Sequence, residues 1–424
     1  MSADPPASAA PDKPGHEGPK LRRALSLPLL VLYGLGVTIG AGIYVLIGAT
    51  AGRAGIYAPF SFLIAALVMG FSAASFAELT GRYPVSAGEA AYVRGAFGSN
   101  ALSLLAGSLV IFTGVVSSAA IAVGSAGYLL EFVTISELVV ISCVVLFMGL
   151  ISIWGIVQSV TFAGIFTLIE VGGLLAIIFG GFGGQPEILE RLPEALPPLG
   201  DAVAMSAVMS AGLLAFFAFV GFEDLVNLAE EAREPARMLP WAILLTLLGA
   251  SLVYLLVTYV AVWTVPAEEL AASRAPLSLV FERTTGLTSS VITLVAVVAT
   301  LNGVIVQMVM SARVLYGLAR QGSLPAVFAR VNKVTHTPIQ STVAVVATIL
   351  VLALFIPLEP LAEATSFSVL TSFALVNLAL VKLKLARKPA PANACIVGTW
   401  VPVVGFLTCL AFLAGSIAAR FDAF

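Results

Sequence analysis

The chain has 424 residues, of which 59% are hydrophobic and 10% charged, whereas ordinary globular domains carry roughly 25% charged residues. That balance excludes water as the main solvent, and a formal net charge of -2 gives no reason to expect nucleic acid as a partner. Cys143, Cys395 and Cys409 fall in or beside apolar runs with no metal-ligand spacing, so they read as small hydrophobes.

Residues 1–23 are rich in Pro, Ala and charge and read as a disordered tail, with no cleavable signal ahead of the first apolar stretch. Apolar runs then follow near 26–51, 57–80, 99–127, 136–157, 159–183, 202–229, 239–264, 287–319, 338–356, 361–383 and 398–419. At 1.5 Å per residue most are long enough to cross a hydrocarbon core of roughly 30 Å. The expectation is an all-α integral membrane protein with about eleven transmembrane helices and the lipid bilayer as its surroundings. With a cytoplasmic N-terminus, all of the 21 Lys and Arg residues except Arg53, Arg191, Arg274, Arg283 and Arg420 fall on the inner side, and an odd span count puts the C-terminus outside. A bacterial inner (plasma) membrane is the expected location.

The first span holds Gly34-Leu35-Gly36-Val37-Thr38-Ile39-Gly40-Ala41-Gly42-Ile43, and each Gly weakens a helix by roughly 1 kcal/mol relative to Ala. Small residues also allow close helix packing, so the string alone fits either a tight contact or an unwound segment. The sixth span holds Phe216-Phe217-Ala218-Phe219-Val220-Gly221-Phe222-Glu223-Asp224, where two acids follow an apolar run. Acids in a span cost at least 2 to 3 kcal/mol each, roughly, on insertion scales, and mark cavities or functional positions. The two suspected breaks lie about 180 residues and five spans apart. Interrupted segments at matching positions of two halves signal an inverted repeat with its site at the midplane. Free amides at such a break attract a carboxylate and free carbonyls attract an ammonium group, which together suit a zwitterionic amino acid.

These strings resemble the amino acid-polyamine-organocation family of transporters. The resemblance also rests on Tyr83-Pro84-Val85-Ser86-Ala87-Gly88-Glu89, Glu230-Glu231, Pro235, Arg237, Pro240 and Arg313-Val314-Leu315-Tyr316-Gly317-Leu318-Ala319-Arg320, and runs from about residue 24 to about 420. It implies a leucine-transporter-type inverted repeat of five plus five helices, with helices 1 and 6 broken and one further C-terminal helix. The repeats would cover about 24–183 and 200–385, within a core of 24–385, and 386–424 would form a linker and the final helix. Family members commonly have twelve spans; here about eleven are evident. The resemblance further implies that Gly40, Ala41 and Gly42 offer amides to a substrate carboxylate. Carbonyls near Thr38, Ile39, Phe217 and Ala218 would take the amino group. Phe217 would be the aromatic lid, with Ile43, Phe219, Gly221 and Phe222 completing the substrate-binding set; ordinary packing is the alternative for the phenylalanines.

Glu170, in Thr167-Leu168-Ile169-Glu170-Val171-Gly172-Gly173, sits midway along the fifth span, where an isolated carboxylate is costly. It is either a proton-titrating or cation-holding coupling residue, or a buried structural hydrogen-bond partner. Some relatives have a lysine in this region, so their coupling scheme does not transfer. Glu223 and Asp224 suit a helix N-terminus through its dipole as well as they suit a substrate role. Glu78, Arg82, Glu230 and Glu231 are candidates to pair and close an inner gate, against the default of solvated charges. Ser117, Ser118, Thr300, Asn302 and Gln307 are weaker candidates for the same core.

The expected function is secondary active transport of an amino acid or related amine by proton-coupled symport, with exchange on the same fold as the alternative and a sensor or channel further off. No phosphate loop, nucleophile elbow or metal-ligand helix points to an enzyme. Protons are the expected coupling ion, with no cofactor and no metal. The apolar cluster around Phe217 favours a neutral substrate.

Overall fold

A computed structural model describes residues 25–84, 88–154, 160–198, 200–229, 231–335, 337–391 and 394–421. The expected tail over 1–23 and the gate candidate Glu230 lie outside the described residues. Among those residues the regular structure is helical, apart from one isolated parallel bridge between Leu25 and Ala232.

In lipid, a backbone that satisfies its own polar groups is the only economical one, so each apolar run becomes a helix. The chain gives α1 Leu27–Ile39, α2 Gly42–Ala54, α3 Ala58–Arg82, α4 Gly88–Phe97, α5 Asn100–Leu129, α6 Glu137–Trp154, α7 Val160–Gly184 and α8 Ala202–Ala218. A 3-10 segment, Phe222–Leu228, follows α8. Then come α9 Pro235–Thr264, α10 Ala267–Ala272, α11 Pro276–Thr285, α12 Ser290–Arg320, α13 Ile339–Phe355, α14 Leu358–Leu385 and α15 Trp400–Phe421. Eight stretches are long and apolar enough to cross a membrane, and Leu27–Ile39, Ile339–Phe355 and Trp400–Gly415 are shorter apolar helices. The protein is a multi-pass membrane protein.

Nine of the eleven apolar spans read from sequence overlap one helix each among the described residues, while 26–51 divides into α1 and α2 and 202–229 into α8 and the 3-10 segment. The short helices α4, α10 and α11 and the 3-10 segment Pro186–Ala195 were not anticipated, because they lie outside the long apolar runs. Proline starts several elements: α3, α9 and α11 each have Pro in the first turn, where its missing N–H costs nothing.

Two helix pairs dominate the packing, α5 against α12 and α3 against α9, while α1 lies between α7 and α9 and α2 runs along α8. Lipid-facing positions are apolar, as at Leu67, Phe147, Leu168 and Phe179. Polar glue fixes the interior: Asn377 on α14 donates to Ser72 Oγ at 2.9 Å and accepts from Ser75 Oγ at 2.6 Å, both on α3. An aromatic cluster of Phe76, Phe222 and Phe373, with ring centroids 5.2 to 6.0 Å apart, fills the space between α3, α14 and the 3-10 segment.

Candidate functional site

Helix formation stops at Ile39 and restarts at Gly42, leaving Gly40 and Ala41 as a two-residue interruption. Gly40 keeps a helical backbone and its N–H reaches Gly36 O at 3.0 Å, so the kink resides at Ala41, with φ -120°. The second interruption is longer. After α8 the chain turns through Phe219, Val220 and Gly221, with φ +123° at Gly221, a region that side chains avoid. Glu223 Oε2 accepts the Gly221 N–H at 2.8 Å, which caps the segment that follows.

The interruptions cross in contact. A Cβ placed on Gly42 would lie 2.3 Å from Ala218 Cα, and one on Gly221 would lie 2.8 Å from Val37 O. Side chains at either position would force the two broken elements apart. Tyr254 on α9 ties the crossing together: its hydroxyl lies 2.6 Å from Thr38 O and 2.7 Å from Ala218 O. A hydroxyl has one proton, so it can serve only one of these two carbonyls at a time.

A small central cavity lies at the crossing, walled by Thr38, Ala41, Gly42, Phe217, Ser117 and Gln307, with Val37, Ile121, Val220, Gly303 and Val306 completing its apolar part. No charged side chain lines it among the described residues. Among the described residues Thr38 Oγ1 is buried there without a hydrogen-bond partner. An unsatisfied buried hydroxyl costs about 1 to 3 kcal/mol and is resolved by a ligand or water.

Of the residues expected to bind substrate, Thr38, Ala41, Gly42 and Phe217 line this cavity and the others do not. Ile39 and Ile43 are buried in the larger apolar core, because they lie on the opposite face of the first span. Phe219 stacks edge-on against Tyr254 at 4.9 Å, Phe222 packs on Phe76 and Phe373, and Ala218 and Gly221 form the crossing itself. Gly40 faces elsewhere: a Cβ built there would lie 3.4 Å from Glu170 Oε2. Ser117 and Gln307 hold their expected positions, whereas Ser118 and Thr300 bond their own helices at Gly114 O and Ala296 O. Val37 and Tyr254 were not anticipated. A tyrosine within an apolar run has no sequence signal to separate it from a packing aromatic.

Glu170 on α7 is fully buried beside the first interruption. Among the described residues its Oε1 receives only a long contact from Asn302 Nδ2, 3.4 Å, and Oε2 has no partner. The Tyr44 hydroxyl donates to the Glu170 backbone carbonyl at 2.8 Å and thereby fixes α2 against α7.

Glu78 and Arg82 sit apart from the cavity. Glu78, fully buried, accepts from Arg82 Nε at 2.9 Å and Nη2 at 2.7 Å, from Lys384 Nζ at 2.6 Å and from the Val397 N–H at 2.9 Å. These residues tie α3 to α14 and to the segment before α15. Glu231 instead walls a vestibule of about 310 Å³ together with Glu89, Asn227, Arg313 and Gln321. The Leu25 N–H donates to Glu231 O at 3.1 Å, so this vestibule lies at the end of the bundle where α1 begins. At the other end Arg53, on the last turn of α2, pairs with Glu359 at 2.6 Å and Glu363 at 2.7 Å of α14 and reaches Ser210 of α8. The sequence places Arg53 only among the outer-side cations, since its acidic partners are about 300 residues away.

The described residues thus form a multi-pass helical bundle in which two interrupted helices cross at a small, mostly apolar cavity. The family model for amino acid permeases matches residues 25–421, and the chain belongs to that family. It is 31% identical over 404 residues to the cationic amino acid transporter 2, vacuolar, of Arabidopsis thaliana, covering 89% of this chain and 62% of that protein. It is 26% identical to the branched-chain amino acid permease BcaP of Bacillus subtilis, covering 92% and 87%, and 30% identical to the uncharacterized transporter Rv1999c of Mycobacterium tuberculosis, covering 92% and 86%. The chain spans less than two thirds of the length of the plant relatives it matches.

Proposed function

We propose that the protein moves an amino acid across a bacterial plasma membrane by alternating access, as a proton-coupled symporter. On this reading the eleven apolar stretches each cross the bilayer, α1 with α2 and α8 with the 3-10 segment being the two broken crossings of a five-plus-five inverted repeat, and the N-terminus is cytoplasmic. One observation carries the reading: the crossing of the two interruptions beside the orphaned Thr38 hydroxyl in an uncharged cavity. The first amides of α2 and the carbonyls ending α1 are backbone groups suited to the two ends of a zwitterion. Phe217 covers them and Tyr254 competes for the carbonyls. Among the relatives, the plant protein is a cationic amino acid transporter and BcaP a branched-chain amino acid permease, and the uncharged cavity favours an α-amino acid held by its backbone groups.

Glu170 is the proposed coupling group. Its unpartnered oxygen faces the first interruption, so a proton there neutralises a buried carboxylate and its loss leaves a charge that α1 and α2 must accommodate. The test is uptake of labelled amino acids into proteoliposomes. Uptake into empty vesicles driven by an inward proton gradient is expected, and Glu170→Gln abolishes the pH dependence while leaving exchange with internal substrate. Uptake that requires preloaded substrate in the wild type identifies an exchanger instead, and unaltered pH dependence in the variant removes Glu170 from coupling.

A further inference from the structure

At the end of the bundle that holds the vestibule, the ends of α3, α4 and α14 meet. Arg82 Nη1, on the last residue of α3, donates to Lys388 O at 3.0 Å, and Lys388 Nζ donates to Gly95 O of α4 at 3.3 Å. Lys382 Nζ of α14 lies 4.4 Å from the centroid of the Phe97 ring, on the last residue of α4. Residues 78–100 and 380–400 carry six Lys and Arg against two acids, Glu78 and Glu89. Neither acid is free to neutralise the rest. Glu78 is buried and engaged by Arg82, Lys384 and the Val397 N–H. Glu89 is buried and faces the vestibule and a small adjoining pocket that it shares with Glu223 and Asp224. Arg94, Lys382, Arg387 and Lys388 are exposed, and among the described residues none of them is paired with a carboxylate.

Two further observations bear on what this patch meets. First, α14 closes with the Arg387 N–H on Lys384 O at 3.0 Å and the Lys388 N–H on Leu383 O at 3.1 Å, which sets φ at Arg387 to +50°. Glycine takes this position of a helix-ending turn at least cost, yet a long cationic side chain stands there, the one non-glycine residue with positive φ among those described. Second, the surface beside the cations is apolar. Leu385, at the end of α14, is 73% exposed, Ile396 67%, and Trp400, the first residue of α15, 64%. Lys384 Nζ donates to Val397 O at 2.6 Å and so keeps the start of α15 beside the end of α14. Tryptophan at the end of a membrane helix marks the level of the bilayer surface. Arg387 and Lys388 follow Leu385 by two and three residues, and therefore stand at the level of the headgroup phosphates.

We infer that this patch is a binding site for an anionic glycerophospholipid, with the headgroup phosphate among Arg94, Arg387 and Lys388 and the acyl chains along Leu385 and Trp400. An arginine fork takes two phosphate oxygens at once, and basic clusters at the ends of membrane helices hold anionic headgroups. Unpaired cations call for an anion, and the apolar surface continuous with them calls for one that carries hydrocarbon. A free phosphate or a soluble acidic protein meets only the first requirement. None of these residues walls the central cavity, so the inference stands apart from the proposed transport reading.

The experiment uses Trp400 as the reporter. The full-length protein with Trp154→Phe, Trp241→Phe and Trp263→Phe, which leaves Trp400 as its one tryptophan, is reconstituted in phosphatidylcholine vesicles. Phosphatidylglycerol or phosphatidylcholine with brominated acyl chains, which quench a tryptophan they touch, is then added in steps. Half-quenching is expected at about fivefold or more lower mole fraction of the brominated phosphatidylglycerol. Arg94→Gln with Arg387→Gln is expected to shrink that preference to within about twofold of parity, and Arg94→Lys with Arg387→Lys to keep it. Equal quenching by the two lipids in the reporter protein, or a preference that the Gln pair retains, overturns the site. Loss of the preference to inorganic phosphate, where chloride at equal ionic strength leaves it, overturns the lipid assignment in favour of a free anion. A second measurement needs no tryptophan replaced: mass spectrometry of the intact protein in detergent, offered both lipids in equal amount. Wild type is expected to retain phosphatidylglycerol and the Gln pair to lose it; equal retention of the two lipids by wild type overturns the site.

Discussion

Gly42 and Glu89 show how single residues set the behaviour of this site. Gly42 is where the second half of the first crossing touches Ala218, and any side chain there meets backbone rather than a movable group. Gly42→Ala is therefore expected to lower stability by about 1 to 3 kcal/mol through overpacking and to impair uptake, read as a lower melting temperature with reduced transport in the same preparation. Glu89 lies on α4, between membrane spans, and burial pushes its carboxyl up from 4.5 to about 7. Glu223, Asp224, Glu231 and Arg313 are the charged groups around it in the pocket and vestibule. The folded state thus holds this proton more tightly than the unfolded chain does. Its contribution to stability is fully present below pH 4.5 and is lost as pH rises through about 7. Thermal melts across that window should show wild type losing up to about 3 kcal/mol more stability than Glu89→Gln; parallel curves would remove Glu89 as a cause.

At the level of elements, the two ends of the bundle are unlike. At one end Leu25 pairs with the segment after the second broken crossing, and the acidic vestibule lies there. At the other, Arg53 draws α2, α8 and α14 together through Glu359, Glu363 and Ser210. Alternating access requires the elements flanking the breaks to part at one end while they close at the other. Arg53 is 26% exposed and Glu359 47%, so screening limits the pairs to about 1 kcal/mol together. Loss of that amount shifts an open-closed equilibrium about fivefold. Arg53→Gln should therefore raise, by about that factor, the labelling of a cysteine placed at Ser117 by an impermeant thiol reagent added on the Arg53 side. Unchanged labelling would show that packing alone closes this end.

Across the whole molecule, Glu78 joins parts of the chain that are far apart in sequence. It gathers Arg82, Lys384 and the Val397 N–H, while Lys384 also donates to Val397 O at 2.6 Å. All four donors converge on one buried carboxylate, which is how an ion pair survives out of water. Removing the negative charge leaves two cations without it, at a cost of about 3 to 5 kcal/mol. Glu78→Gln is thus expected to lower the melting temperature and to speed proteolysis in 386–399 before any change in substrate affinity. Altered uptake with full stability would return Glu78 to the role of a gate residue.

The sequence alone determined the membrane class, the position of every long helix and the two interruptions, because hydrophobic length and glycine or acid placement act locally along the chain. It also picked out Glu170, since a lone acid within an apolar run is conspicuous whatever surrounds it. Which residues of the interruptions face the cavity was decided only by the tertiary structure: Thr38 and Phe217 turn inward, while Ile39, Phe219 and Phe222 turn to the core. Equally apolar strings look alike until the crossing fixes their rotation. Tyr254, Arg53 and the meeting of Glu89 with Glu223 and Asp224 belong to the same category. Their partners come from other helices, and the physical signals involved, one shared hydroxyl proton, one ion pair and three acids around a small space, exist only once those helices pack.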